Sequence, residues 1–127
     1  MLAESRLRKP GSPRPLNTGE KRLITRMVRG TSHEASVLRD LTHVLVEDMA
    51  DCGMGSIRFC SSGRGRRQFG QQIAEASFTD DDGVPVSATL NLDQNGALFE
   101  LDVWKVDNSA LHRYPAMSHI EVVRDRR

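Results

Sequence analysis

The stretch "NLDQNGALFELDVWKVD", Asn91–Asp107, alternates apolar and polar residues on both sides of an Asn-Gly pair. Asn-Gly between two alternating runs is the strongest short-range hairpin signal, because both central residues of a type I′ turn need positive φ. A two-residue turn at Asn95-Gly96 pairs Gln94 with Ala97. Counting back sets Leu92 against Phe99, Leu90 against Leu101 and Ala88 against Val103 on one face. On the other face Asn91 meets Glu100, Thr89 meets Asp102 and Ser87 meets Trp104. The two faces separate by polarity, and a slip of one residue would exchange them, so the register is strongly specified.

Working outward, "DDDG" at residues 80–83 fits a three-residue loop, Asp81-Asp82-Gly83, with Gly83 in the left-handed position that a bulged turn requires. That loop sets Phe78 against Val86 and Ala76 against Ala88 on the apolar face, and Glu75 beside Thr89 and Ser77 beside Ser87 on the polar one. Lys105 falls on the apolar face, where it is expected to snorkel to the sheet margin. "HVLVEDMA" and "SIRFCS" upstream also alternate, giving about five strands. The short links among the last three demand antiparallel pairing.

Two helices precede the strands. "NTGEKRLITRMVRG" places Leu23, Ile24, Met27 and Val28 on one helical face, with Asn17 and Glu20 as a capping box and Gly30 as the stop. Thr31 and Glu34 repeat the box before Ala35, Leu38 and Leu41. The expected architecture is α+β: two N-terminal helices packed on one face of a roughly five-stranded antiparallel meander sheet. Residues 17–118 are read as one domain, residues 1–16 as a disordered basic leader and 119–127 as a basic tail.

The chain has 127 residues, 38% hydrophobic and 28% charged, with a net charge of +1. That fits one soluble domain and excludes a bilayer-spanning segment of roughly 20 apolar residues. No apolar run follows the basic N-terminus, so a cytoplasmic location is expected. Two cysteines, Cys52 and Cys60, are too few for a disulfide framework. Arg6, Arg8, Lys9 and Arg14 make the leader basic and leave the folded part mildly acidic. A basic leader can touch nucleic acid, but Pro10, Pro13 and Pro15 and the lack of aromatic residues fit a solubilising segment better.

The polar sheet face is the first candidate for chemistry. Glu75, Glu100, Asp102 and Trp104 gather there, a surface suited to a peptide, a sugar or a cation. The competing reading covers Trp104 with "SALHRYPAM", Leu111, Tyr114 and Pro115 forming the lid. Glu75 and Asp102 lie two strand spacings apart, about 9.5 Å, as in an inverting hydrolase pair. An open sheet, however, supplies no desolvation to part their pKa values. Arg64, Arg66 and Arg67 in "SSGRGRRQFG" form an anion-contact candidate without the spacing of a phosphate loop. The Asp80–Gly83 run fails the calcium-loop pattern. The histidines and cysteines lack zinc spacing, and a Cys52–His nucleophilic pair cannot be assembled from sequence. No metal and no cofactor is assigned.

From "MADCGMGSIRF" through "FGQQIAEASFTDDDGVPVSATLNLDQNGALFELDVWKVD" the chain resembles a family of small uncharacterised bacterial proteins grouped as a domain of unknown function, over about residues 14 to 107. The resemblance implies a bacterial cytosolic protein and carries no activity onto any residue. The functional expectation is a non-enzymatic binding module that uses the outward face around Trp104 and takes a protein or peptide partner, with no membrane involved. The alternatives are a hydrolase-like enzyme using Glu75 and Asp102, and a nucleic-acid or anion binder using Arg64 to Arg67 and the leader.

Overall fold

A computed structural model describes residues 11–124 other than 62 and 64. The elements in chain order are β1 (Arg14–Pro15), α1 (Thr18–Val28), α2 (Glu34–Leu41), β2 (Leu45–Asp48), β3 (Ile57–Phe59), β4 (Phe69–Thr79), β5 (Pro85–Asp93), β6 (Leu98–Lys105), a 3₁₀ turn (Met117–His119) and β7 (Glu121–Val123). The fold is α+β. No helix among the described residues is long and apolar enough to cross a membrane.

Helix α1 starts as expected: Asn17 Oδ1 accepts from Glu20 N–H at 2.8 Å and Glu20 Oε1 accepts from Asn17 N–H at 2.9 Å. The second box does not close. Helix α2 starts at Glu34 after an uncapped His33, and the Glu34 carboxylate accepts from Gly30 N–H instead.

The antiparallel sheet has seven strands, not five, in the order β1-β2-β3-β6-β5-β4-β7. The five expected strands are all present. Only β4, β5 and β6 form a meander; the chain crosses from β3 to the far side, and β6 returns to β3 through Ile57 opposite Leu101. The two extra strands come from segments assigned to the leader and the tail. Arg14 and Pro15 pair with Val46 and Leu45, Leu16 is buried, and Glu121–Val123 pair with Ser77–Glu75. Strand β7 covers only the middle of β4. Beyond it β4 has two register shifts, at Phe69/Gln71 and Gln72/Ala74.

The Asp81-Asp82-Gly83 loop is as expected, closed by Gly83 N–H to Asp80 O at 2.9 Å with Gly83 at φ +82°. The other hairpin differs. Only Gly96 has positive φ, so the turn is not type I′; it is a three-residue loop closed by Asp93 N–H to Ala97 O, and Leu92 pairs with Leu98. A shift at Asn91/Leu92 then leaves Phe99 as the extra residue, and from Asn91–Glu100 onward every pair is the one the alternation dictates. The longer turn and the bulge cancel. Asp93 drives this by accepting from Asn95 N–H and Ala97 N–H through one carboxylate oxygen, an Asx turn stronger than the Asn-Gly signal.

Leu23, Ile24, Met27 and Val28 of α1 and Val37 and Leu41 of α2 are buried in one cluster with Val46, Ile57, Phe59, Ala76, Phe78, Val86, Leu90, Leu101 and Val103 of the sheet. Phe99, expected in that cluster, is not part of it. Its ring lies beneath the guanidinium groups of Arg58 and Arg67, at 4.7 and 5.3 Å from the centroid.

Lys105 does not snorkel. It is 0% exposed, and its ammonium donates to Asp80 Oδ2 at 2.8 Å, Asp82 Oδ2 at 2.7 Å and Ala110 O at 3.1 Å. Three donors meet three acceptors, which is the condition for burying a charge. The two turn aspartates are therefore structural anchors as well as turn formers.

Candidate functional site

The register builds the outward face row by row. Trp104, Ser87, Ser77 and Glu121 form one row; Asp102, Thr89, Glu75 and Val123 the next; Arg58, Glu100, Asn91 and Gln72 the third. All four residues expected there, Glu75, Glu100, Asp102 and Trp104, are brought together. Glu100 is spent on Arg58 at 2.9 Å. Asp102 is exposed and accepts from Ser56 Oγ at 3.2 Å, whereas Glu75 has no ion-pair partner among the described residues. Thr89 stands between Glu75 and Asp102, so the two carboxylates are not side by side.

Trp104 is 50% exposed and has no lid. The segment expected to fold over it turns the other way: Leu111 and Tyr114 pack against the core. The indole N–H donates to Asn108 Oδ1 at 2.9 Å, and Asn108 takes a left-handed φ of +63° to present that oxygen. The ring is thus held at one edge and half exposed.

One buried group on this face has no partner among the described residues. Asn91 is 6% exposed, and its side-chain oxygen finds no donor. Replacing both members of a polar pair costs little, while an unmatched buried acceptor costs about 1–3 kcal/mol. The isosteric Asn91→Leu change is expected to raise the unfolding free energy by about 1 kcal/mol, read from a higher urea midpoint at unchanged slope. An unchanged or lower midpoint would contradict this account of Asn91.

The arginine loop does not form a basic cluster in the described residues. Arg64 lies outside them. Arg66 is exposed, its carbonyl accepting from Gln94 Nε2. Arg67 is a clamp: Nε donates to Asp93 at 2.9 Å, Nη1 to Phe59 O at 2.6 Å and Nη2 to Leu98 O at 2.5 Å, stitching β3 and β6 to the β5–β6 turn. Burial would raise the Asp93 carboxyl, but the Ala97 N–H and Arg67 outweigh it and hold it below the usual range.

A polar cleft of about 960 Å³ was not legible in the sequence. It lies among the start of α1, the loop after β2 and the 110–114 segment, and is lined by Arg14, Glu20, Asp48, Asp51, Cys52, His112 and Tyr114 among others. Its ionic floor is closed on itself. All five Arg14 N–H donors are used: Nε and Nη2 on Asp48 at 3.0 and 2.6 Å, Nη1 and Nη2 on Glu20 at 2.9 and 2.7 Å, and Nη1 on Pro15 O at 3.0 Å. Tyr114 lies on Gly19, where a side chain would meet its ring at 2.7 Å, and burial pushes its phenol up. Cys52 and His112 share this cleft, yet no hydrogen bond joins them. The imidazole Nδ1 faces Asp81 at 2.8 Å and Nε2 faces Asp82 at 3.7 Å.

Asp80, Asp81, Asp82 and His112 bring ligand atoms within 4.8 Å of one another. Lys105 already supplies the cation between Asp80 and Asp82, and Asp80 is saturated by the His112, Asp81 and Arg113 amides. Its oxygens are not available as a metal shell.

Comparison with known families matches the domain of unknown function DUF6984 over residues 13–115, and the chain belongs to that family. The match runs past the hairpins to include the segment that carries His112 and Tyr114. No curated protein and no solved structure matches the chain.

Proposed function

We propose that this member of a family of unknown function is a non-enzymatic binding module that holds a protein or peptide on the outward sheet face around Trp104. The observation that carries the reading is the state of the indole: half exposed and tethered by Asn108, with Ser87 opposite it and Asp102 on the same face. A large aromatic fixed at one edge and half exposed offers contact area at little entropic cost, as the anchors of binding surfaces do. The cleft competes poorly, since the polar groups of its floor satisfy one another. For Glu75 and Asp102 the flat face supports contact and not acid/base catalysis.

Trp104→Ala is expected to abolish capture of a partner that the wild-type domain retains, while the far-UV circular dichroism and the unfolding midpoint stay unchanged. Identical captured sets from the two folded proteins would overturn the proposal.

A further inference from the structure

The outward rows are short of donors and rich in acceptors. Glu47, Glu75, Glu100, Asp102 and Glu121 share this face, and Glu47 stands opposite Arg58 on the neighbouring strand. Arg58 is the one cation on these rows among the described residues, and it is already committed to Glu100 and to the Phe99 ring. Glu47, Glu75, Asp102 and Glu121 have no cationic partner among the described residues. A second, independent sign lies in the first row: Trp104 is half exposed and its N–H is already taken by Asn108, so what it still offers a partner is aromatic surface.

We infer that the ligand of the Trp104 face is a basic peptide segment, rich in arginine or lysine. Ammonium and guanidinium groups carry donors and no acceptors, so they match a surface of carboxylates that lack cationic partners. The half-exposed indole on the same face as Asp102 adds a cation–π seat, to which guanidinium is the better fit. An acidic or phosphorylated partner would meet four uncompensated carboxylates. This inference rests on the proposed use of the Trp104 face and adds the chemistry of its ligand.

The test uses the full chain and its single tryptophan, which sits in the site and reports on it directly. Oligoarginine, oligoglutamate and an uncharged Gly-Ser peptide of equal length are titrated while the Trp104 emission is followed. Oligoarginine is expected to change the emission saturably, with affinity that falls as salt screens the carboxylates, and the other two peptides to leave it unchanged. Asp102→Asn with Glu75→Gln should weaken oligoarginine binding about tenfold, a loss of roughly 1.4 kcal/mol. Glu121→Gln supplies a second variant that leaves the Ser56–Asp102 hydrogen bond in place. Saturable response to oligoglutamate or to the uncharged peptide would overturn the cationic assignment and leave the face itself standing. Oligoarginine binding that is indifferent to all the carboxylate changes would also overturn it. Silence of Trp104 towards every probe, together with capture unaffected by Trp104→Ala, would remove both the ligand and the face.

Discussion

Asp80→Ala is expected to destabilise the domain by about 3–5 kcal/mol, the range for breaking a buried ion pair from one side. The change leaves Lys105 buried with one carboxylate in place of two. It also strips acceptors from three amides, Asp81 N–H at 2.8 Å, His112 N–H at 2.8 Å and Arg113 N–H at 3.1 Å. Those bonds tie the end of β4 and the end of β6 to the segment that lines the cleft, so the loss is not local. The measurement is the urea midpoint, expected to fall while the slope is held. A loss below about 1 kcal/mol, the size of an exposed pair, would mean that the Lys105 cluster is not what the geometry indicates.

The same residue sets an acid limit. Burial would raise the Asp80 carboxyl, but the His112 amide, Lys105 and the other two amides outweigh it and hold it down to about 2. An unfolded aspartate titrates near 3.9. The folded form is the weaker proton acceptor, so the stability Asp80 contributes is complete above the unfolded value and is lost as pH falls through the folded one. Asp82, held down by Lys105, and Asp93 steepen the same limb. The midpoint of the wild-type protein should therefore drop between about pH 4 and pH 2, and that of Asp80→Asn should drop less.

Arg14→Ala is the second large effect, again about 3–5 kcal/mol. Glu20 is 2% exposed, and the change removes the guanidinium that grips both of its carboxylate oxygens. Strand β1 has two residues and little else to hold it, so amide exchange should quicken at Val46 and at the start of α1 before the rest of the fold responds. Arg14→Lys is expected to recover only part of the loss, because an ammonium has three donors and cannot grip two carboxylates in parallel. Full recovery by lysine would reduce the network to simple charge balance.

Alternation and turn chemistry made the inner architecture legible. The pairs Phe78–Val86, Leu90–Leu101, Thr89–Asp102 and Ser87–Trp104 follow from counting back from the two turns, with polarity excluding a slip of one residue. The Asn95-Gly96 turn was misread in type but not in effect, since the bulge at Phe99 restored the register. What polarity could not reveal was short or long-range. Two- and three-residue strands such as β1 and β7 carry no period, and Arg14 looked like one more cation in a proline-rich leader. The partners of Lys105, Arg67 and Arg14 are separated from them by up to 34 residues. Residue types announce such pairs only once the chain is folded. Of the candidate site, the outward cluster was readable because four residues alternate within two strands. The freedom of Trp104 was not, because it depends on where the 110–114 segment docks.

The half-covered β4 strand has a bearing on how crowded molecules of this domain behave. Phe69–Ala74 contains no charge and no proline, lies beyond the reach of β7 among the described residues, and exposes Phe69, a composition that invites fibrillar stacking with identical neighbours. Its two register shifts break the flat ladder that such stacking would need, a backbone irregularity standing where other edge strands place a lysine.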